Sequence, residues 1–274
     1  MSGILYIIGT PIGNMEDITL RQMRLLEEVD FICAEDTRVT LKLLNRCEIK
    51  NELVSFHEHS SKSEAQRIID RILSGQNCGV VTDAGMPCIS DPGEVLVRMC
   101  CENGIDVRVV PGPTAAASAA ALSGLHINRF TFEGFLPVPK KERQERLELL
   151  RNETAVMIFY EAPHKLKNTL ADMVDFFGGE RKIAICREIT KLHEEVIRFT
   201  LSEAVEYYNT TEPRGEFVLV LEGKNTADSE EITLEQAMEQ VKRLIENGEK
   251  PTEACKAVAK ETGFRKSELY AALN

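Results

Sequence analysis

Apolar and polar residues follow two alternating rhythms along the first 122 positions, and together they predict strands followed by helices. Short apolar runs at Ile4–Ile8, Phe31–Ala34, Leu53–Phe56, Gly79–Thr82 and Val107–Val110 read as strands shielded on both faces. Between them, apolar residues recur every three to four positions. Met23, Leu26 and Val29 form one stripe behind Thr19, which caps the helix together with Gln22 three residues on, and Ile18 can staple onto Met23. Ser63-Glu64-Ala65-Gln66 reads as a second capping box, leading into Ile68, Ile69 and Ile72. Such a repeat predicts a mostly parallel sheet covered on both faces, whose ligands sit at the carboxyl ends of its strands.

From about Phe130 the rhythm tightens. Ala155–Tyr160, Ile183–Cys186, Val196–Phe199 and Phe217–Leu221 read as strands with antiparallel pairs among them. They surround one helix that starts at Pro163, buries Leu166, Leu170, Met173 and Val174, and stops at Gly178-Gly179. The expected organisation is an α/β domain over 1–123, a mixed-sheet α/β domain over 124–223, a polar linker over 224–231 and a helical tail over 232–274. In the tail, Thr233 opens a helix ending near Gly248, Thr252 opens a second, and Gly263–Ser267 turns into a short last helix, the outline of a helix-turn-helix.

Composition narrows the function classes. With 274 residues, 43% hydrophobic and 28% charged, the chain is neither disordered, collagenous nor a coiled coil. No apolar run approaches the ~20 residues of a membrane span. The segment Met1–Tyr6 lacks the basic start of a secretory signal, so a cytoplasmic location is expected. Eight cysteines without any C-x-x-C spacing read as reduced core thiols. His57-Glu58-His59 is the nearest metal-like cluster, with both imidazoles on one side if it ends a strand, but no third ligand accompanies it and no metal is expected. A net charge of −11 argues against coating nucleic acid, so any such contact must be local.

The unusual residues cluster where the strands end. They are Gly9–Asn14, then Glu35-Asp36-Thr37-Arg38, then Asp83–Pro87 with Ser90-Asp91-Pro92-Gly93 behind it, and Pro111–Thr114 before a helix of Ala and Ser that lets a ligand or another backbone approach closely. Gly9–Asn14 matches neither the dinucleotide fingerprint nor a P-loop, and taken alone is equally a tight turn or a ligand loop. Paired Gly and Pro in the two later loops build rigid walls with exposed backbone groups, which favours a small-molecule pocket.

Six motifs together carry a resemblance. Leu5–Asn14, Ala34–Arg38, Thr82–Pro87, Val110–Thr114, Phe159-Tyr160-Glu161-Ala162-Pro163-His164 and Arg187-Glu188-Ile189-Thr190-Lys191 resemble, in order, the type I small-subunit ribosomal RNA methyltransferases of the tetrapyrrole methylase superfamily. The likeness spans about residues 4 to 223, and the tail is similar to the small helical domain many members carry. It implies the two-domain α/β fold of class III methyltransferases, S-adenosyl-L-methionine in the cleft, a homodimer, and 2′-O-methylation of a cytidine ribose in the decoding centre of 16S ribosomal RNA, within the small ribosomal subunit. By motif position it implies cofactor contacts from Pro11, Gly85, Met86, Cys88, Thr114, Ala115, Tyr160 and Glu216.

Methyl transfer rests mainly on positioning, yet a ribose hydroxyl gains from a proton acceptor or a cation. Glu35, Asp36 and Arg38 at one rim, with Glu188 and Lys191 at the other, are the candidates; the simpler reading makes Glu35 and Arg38 a surface ion pair. Lys140, Lys141, Arg143, Arg146 and Arg151, and in the tail Lys250, Lys256, Lys260, Arg265 and Lys266, are the candidate RNA contacts. Two other readings share the fold or the pocket: a tetrapyrrole methyltransferase, and a non-catalytic ribosome-binding protein.

Overall fold

The five apolar runs of the N-terminal part become β1 (Ile4–Ile8), β2 (Phe31–Ala34), β3 (Leu53–Ser55), β4 (Cys78–Val81) and β5 (Asp106–Val110) in a computed structural model that describes residues 2–89, 93–225, 234–246, 248–262 and 264–273. The strands are parallel, in the order β3-β2-β4-β1-β5. Central β2 and β4 are buried at every position, which is why their sequences are continuous apolar runs. Helices α1 (Leu20–Glu28) and α2 (Thr37–Arg46) bring Leu25, Leu26 and Leu44 onto Ile8 and Ile32. On the opposite face, α3 (Lys62–Leu73) and α4 (Glu94–Glu102) bring Ile68, Ile69, Ile72 and Leu96 onto Leu5, Phe31 and Val80.

The Thr19–Gln22 capping box forms as expected. The second box lies two residues earlier than expected, between Ser61 and Glu64. Both registers satisfy the spacing, but the charged Glu64 carboxylate accepts from the Ser61 N–H at 2.6 Å, while Gln66 turns to Asp70. His57-Glu58-His59 falls in a turn beyond β3, not on a strand end.

The second sheet is mixed, in the order β6-β7-β10-β8-β9, from β6 (Phe130–Phe135), β7 (Val156–Glu161), β8 (Lys182–Arg187), β9 (Glu195–Thr200) and β10 (Phe217–Leu221). β6 pairs parallel with β7, and the other pairs are antiparallel. β6 was not expected, because a bulge between Phe132 and Gly134 breaks its alternation. Three helices, not one, cover one face: α6 (Lys140–Leu150), α7 (Pro163–Phe177) and α8 (Leu201–Thr210), over Met157, Phe159, Ile185 and Leu219. The other face receives α5 (Ala115–Leu122), which follows β5 of the first sheet and packs on β7 and β10. Its small residues Ala119 and Ala120 lie on Ile158, Val218 and Val220, so the close approach foreseen for this helix is made by a sheet.

Met1–Gly223 forms one compact unit and Lys224–Asn274 another. In the second, α9 (Leu234–Glu246), α10 (Pro251–Thr262) and α11 (Lys266–Ala272) share a small core of Ala237, Val241, Cys255, Val258 and Leu269. Most of the expected linker, the Thr233 cap, Gly263 and the segment Ser90-Asp91-Pro92 lie outside the described residues. Cys33, Cys78, Cys100, Cys186 and Cys255 are buried. Among the described residues no helix is long and apolar enough to cross a membrane, and no group of three or more His, Cys, Asp or Glu is arranged to hold a metal.

Candidate active site

Three loops at the carboxyl ends of β1, β4 and β5 are bound to one another through their backbones. Thr10 and Gly85 exchange amide hydrogen bonds in both directions, at 2.9 and 3.2 Å, and the Thr10 hydroxyl donates to the Thr82 carbonyl at 3.2 Å. Gly9 and Gly112 approach so closely that a Cβ on Gly9 would lie 2.8 Å from Gly112 Cα. The Gly112 N–H donates to the Met86 thioether at 3.2 Å, and the buried Gln22 amide donates to the Gly9 carbonyl at 2.6 Å. Pro11 and Gly85 are thus held by the loops' own hydrogen bonding, and Met86 braces the β5 loop. Cys88 takes a left-handed backbone, φ 70°, a conformation non-glycine residues adopt where the surroundings impose it. Thr114 caps α5 by accepting from the Ala117 N–H, and Ala115 packs partly buried on the second sheet.

At the end of β2, Glu35 accepts a 2.6 Å hydrogen bond from the Thr82 hydroxyl, which aims its carboxylate toward the β4 loop. The ion pair expected between Glu35 and Arg38 forms instead between Asp36 and Arg38, at 2.6 Å, because Asp36 is the N-cap of α2 and Arg38 sits in that helix's first turn. Arg38's hydrogen bonds hold the Asp36 carboxyl down at about 2. Asp83 lies beside both acids and accepts from the Asp36 N–H at 3.2 Å. Burial, then the neighbouring Glu35 charge, pushes its carboxyl above the ordinary value.

From the second sheet, the loop between β8 and β9 carries Glu188 and Lys191. Lys191 Nζ lies 2.9 Å from the Glu188 carboxylate and 3.0 Å from that of Glu216, and Glu188 also accepts from the Glu216 N–H at 2.9 Å. Burial opposes ionisation of both groups, but their mutual bonds outweigh it: the Glu188 carboxyl is held below its usual range and the Lys191 ammonium above its own. The Lys191 stem lies against Gly13 of the β1 loop, where a Cβ would come within 2.6 Å of its Cγ. Glu188 and Thr190 both have left-handed backbones, φ 51° and 67°. The loop is therefore a strained latch between the two sheets, in which Glu188, Lys191 and Glu216 satisfy one another.

Tyr160 sits on β7 with its ring edge-on to Phe132 at 5.0 Å and Phe135 at 5.6 Å. Of the basic candidates, Lys140 and Lys141 begin α6 in the open. Arg143 does not belong with them: its guanidinium, 13% exposed, pairs with Asp172 at 2.7 Å and donates to the Val138 carbonyl. Its spacing places it on the inner side of α6, against α7. Arg146 pairs with Glu133, and Arg151 with Glu148. In the second unit Lys256 lies 3.9 Å from Glu253, and Arg265 and Lys266 are exposed.

Sequence reasoning put Thr10, Gly13 and Asp83 in the loops of this rim without giving them a role, and it missed Gln22 and Thr82 as the side chains that brace it. Two carried a readable signal: Thr82 directly follows β4 and Thr10 follows β1 after one glycine, and both are buried with their hydroxyls engaged.

A family model described as tetrapyrrole (corrin/porphyrin) methylases matches residues 4–205. Proteins named Ribosomal RNA small subunit methyltransferase I are similar along the chain. That of Halalkalibacterium halodurans is 45% identical over 98% of this chain and 93% of its own length, and that of Thermotoga maritima 48% identical over 81% and 99%. Among solved structures, cobalt precorrin-4 methyltransferase superposes with a TM-score of 0.59 at 19% identity, covering 79% of this chain and 94% of that one. Uroporphyrin-III C-methyltransferase from Thermus thermophilus, complexed with S-adenosyl homocysteine, gives 0.57 at 17% identity, over 80% and 97%. At these identities the likeness to the solved structures is one of fold.

Proposed function

We infer the function of this chain from its family: it belongs to the tetrapyrrole (corrin/porphyrin) methylases and, within them, to the ribosomal RNA small subunit methyltransferase I proteins. It is a methyltransferase that uses S-adenosyl-L-methionine and acts on small-subunit ribosomal RNA. The finer reading is 2′-O-methylation of a cytidine ribose in the decoding centre of 16S ribosomal RNA, by a homodimer working on the small subunit. The observation that carries the RNA reading over a tetrapyrrole one is the 45% identity across 98% of the chain, against 19% with the precorrin enzyme.

The rim suits the cofactor chemically. Carboxylates at Glu35 and Asp83 suit a cationic ligand, and partly buried Met86 with buried Ile12 packed near Gly85 suits its apolar parts. Pro11, Gly85, Met86, Cys88, Thr114 and Ala115, with Tyr160 and Glu216 from the second sheet, are the residues proposed to hold it. When bound, S-adenosylmethionine supplies an electrophilic methyl whose bond to sulfur breaks as the bond to the ribose oxygen forms.

The chain's own part is to orient the hydroxyl and take its proton. Glu35, steered by Thr82, is the proposed acceptor; Asp36 and Arg38 frame that side. Glu188 and Lys191 set the opposite wall, and Lys191 places positive charge near the developing alkoxide. Lys140, Lys141, Lys256, Arg265 and Lys266 are the proposed phosphate contacts, so binding to the subunit should weaken steeply with added salt.

The test is to incubate the protein with methyl-labelled S-adenosylmethionine and small subunits from cells lacking it, then map the label by nuclease digestion and mass spectrometry. A 2′-O-methylcytidine product is expected. Cofactor binding with no label in RNA would overturn the RNA reading and favour a tetrapyrrole substrate or a non-catalytic role.

A further inference from the structure

The bulge in β6 does something its sequence rhythm does not announce. In a regular strand Phe132 and Phe135, three residues apart, would face opposite sides of the sheet. The register instead runs Phe132 to Ile158, then Gly134 to Phe159 and Phe135 to Tyr160, so one residue is inserted and Phe135 is returned to the side of Phe132 and Tyr160. Gly134, at φ 63°, supplies the left-handed step that the turn requires. The result is a row of rings with Tyr160 in the middle, edge-on to both neighbours. Phe132 and Tyr160 are partly buried, while Phe135 is 60% exposed at the end of the row. The chain then runs through exposed Val138 to Lys140 and Lys141 at the start of α6.

An exposed aromatic ring followed five and six residues on by two exposed lysines, Lys141 3.9 Å from exposed Glu145, is a local basic and aromatic patch in a chain of net charge −11. It suits single-stranded RNA, whose bases stack on aromatic rings while its phosphates take lysines. We propose that Phe135 is the platform on which a base of the RNA substrate stacks, delivering its ribose to the rim at Tyr160. The proposal rests on the RNA-methyltransferase reading above and adds the residue that positions the nucleotide.

Phe135→Ala, Phe135→Leu and Phe135→Trp test it in the full-length protein, through label transfer to small subunits, S-adenosylmethionine affinity by calorimetry, and oligomeric state by light scattering. Alanine and leucine should each lower kcat/KM for the subunit about tenfold or more, with cofactor affinity within about twofold, while tryptophan restores transfer. Leucine keeps apolar bulk without a π-face, so full activity in Phe135→Leu would overturn the proposal, as would transfer by Phe135→Ala within about twofold of the parent. A parallel loss of cofactor affinity would assign the ring to the cofactor pocket, and a change of oligomeric state to a subunit interface; either overturns it. If the parent labels no RNA, both the proposal and the reading beneath it fail; if the parent labels RNA and the variants match it, the stacking alone fails.

Discussion

The two sheets of the Met1–Gly223 unit hold their sides of the site by different means. On the first sheet the β1, β4 and β5 loops are joined by backbone, through the Thr10–Gly85 amide pair and the Gly9–Gly112 approach, with the uncharged Gln22 side-chain amide bracing the Gly9 carbonyl. On the second, the ties are charged side chains: Lys191 between Glu188 and Glu216, and Arg143 on Asp172. A backbone joint has no charge to lose with pH but no room for a Cβ. A side-chain joint leaves the backbone freer but depends on the charge of every member.

That contrast can be broken at four places. The largest effect is expected from Arg143→Ala, which strands the 9% exposed Asp172 carboxylate; urea unfolding should show a loss of about 3–5 kcal/mol. Next comes Gly112→Ala, whose Cβ would lie 2.4 Å from Gln22 Nε2 and 3.0 Å from Gly9 Cα, expected to cost about 1–3 kcal/mol by the same measurement. A smaller loss would show that the three loops can spread and that the backbone joint is soft.

Lys191→Met should destabilise less and do so with a pH signature. Glu188's folded-state value is lowered, so its contribution is fully present above the unfolded value of about 4.3 and is lost as pH falls through the lower folded value. Lys191's is raised, so its contribution is present below about 10.4 and is lost as pH rises through the higher folded value. The stability gap between parent and variant should therefore be widest near neutrality and close at both extremes. A gap that does not vary with pH would mean the latch works by packing on Gly13 alone. Smallest of all, Arg38→Ala should leave the unfolding midpoint unchanged within error, since the Arg38 side chain is 86% exposed and its charge is screened by solvent.

Much of the first sheet was legible because its strands are uninterrupted apolar runs and its loops carry Gly and Pro at fixed places. The second sheet was read less well. The bulge at Phe132/Gly134 breaks the period of β6, so the strand went unseen. Beside the first sheet, α3 is capped from Ser61 rather than Ser63, a register that spacing alone leaves open. At the site, motif position nominated Glu188, Lys191 and Glu216 separately; that they close on one another depends on the Glu188 N–H donating to the Glu216 carbonyl and the Glu188 carboxylate accepting from the Glu216 N–H, between positions 28 residues apart. Arg143 looked like its neighbours Lys140 and Lys141, and only its phase on α6 turned it inward.

The sequence by itself determined the alternation of strands and helices, the loops that end at one rim and the family of the chain, because these depend on local periodicity, turn chemistry and ordered motifs. Tertiary structure alone decided which charges neutralise each other, which aromatics stay exposed, and which glycines are indispensable. Those outcomes depend on the distance between residues far apart in the chain, and no local pattern encodes a distance.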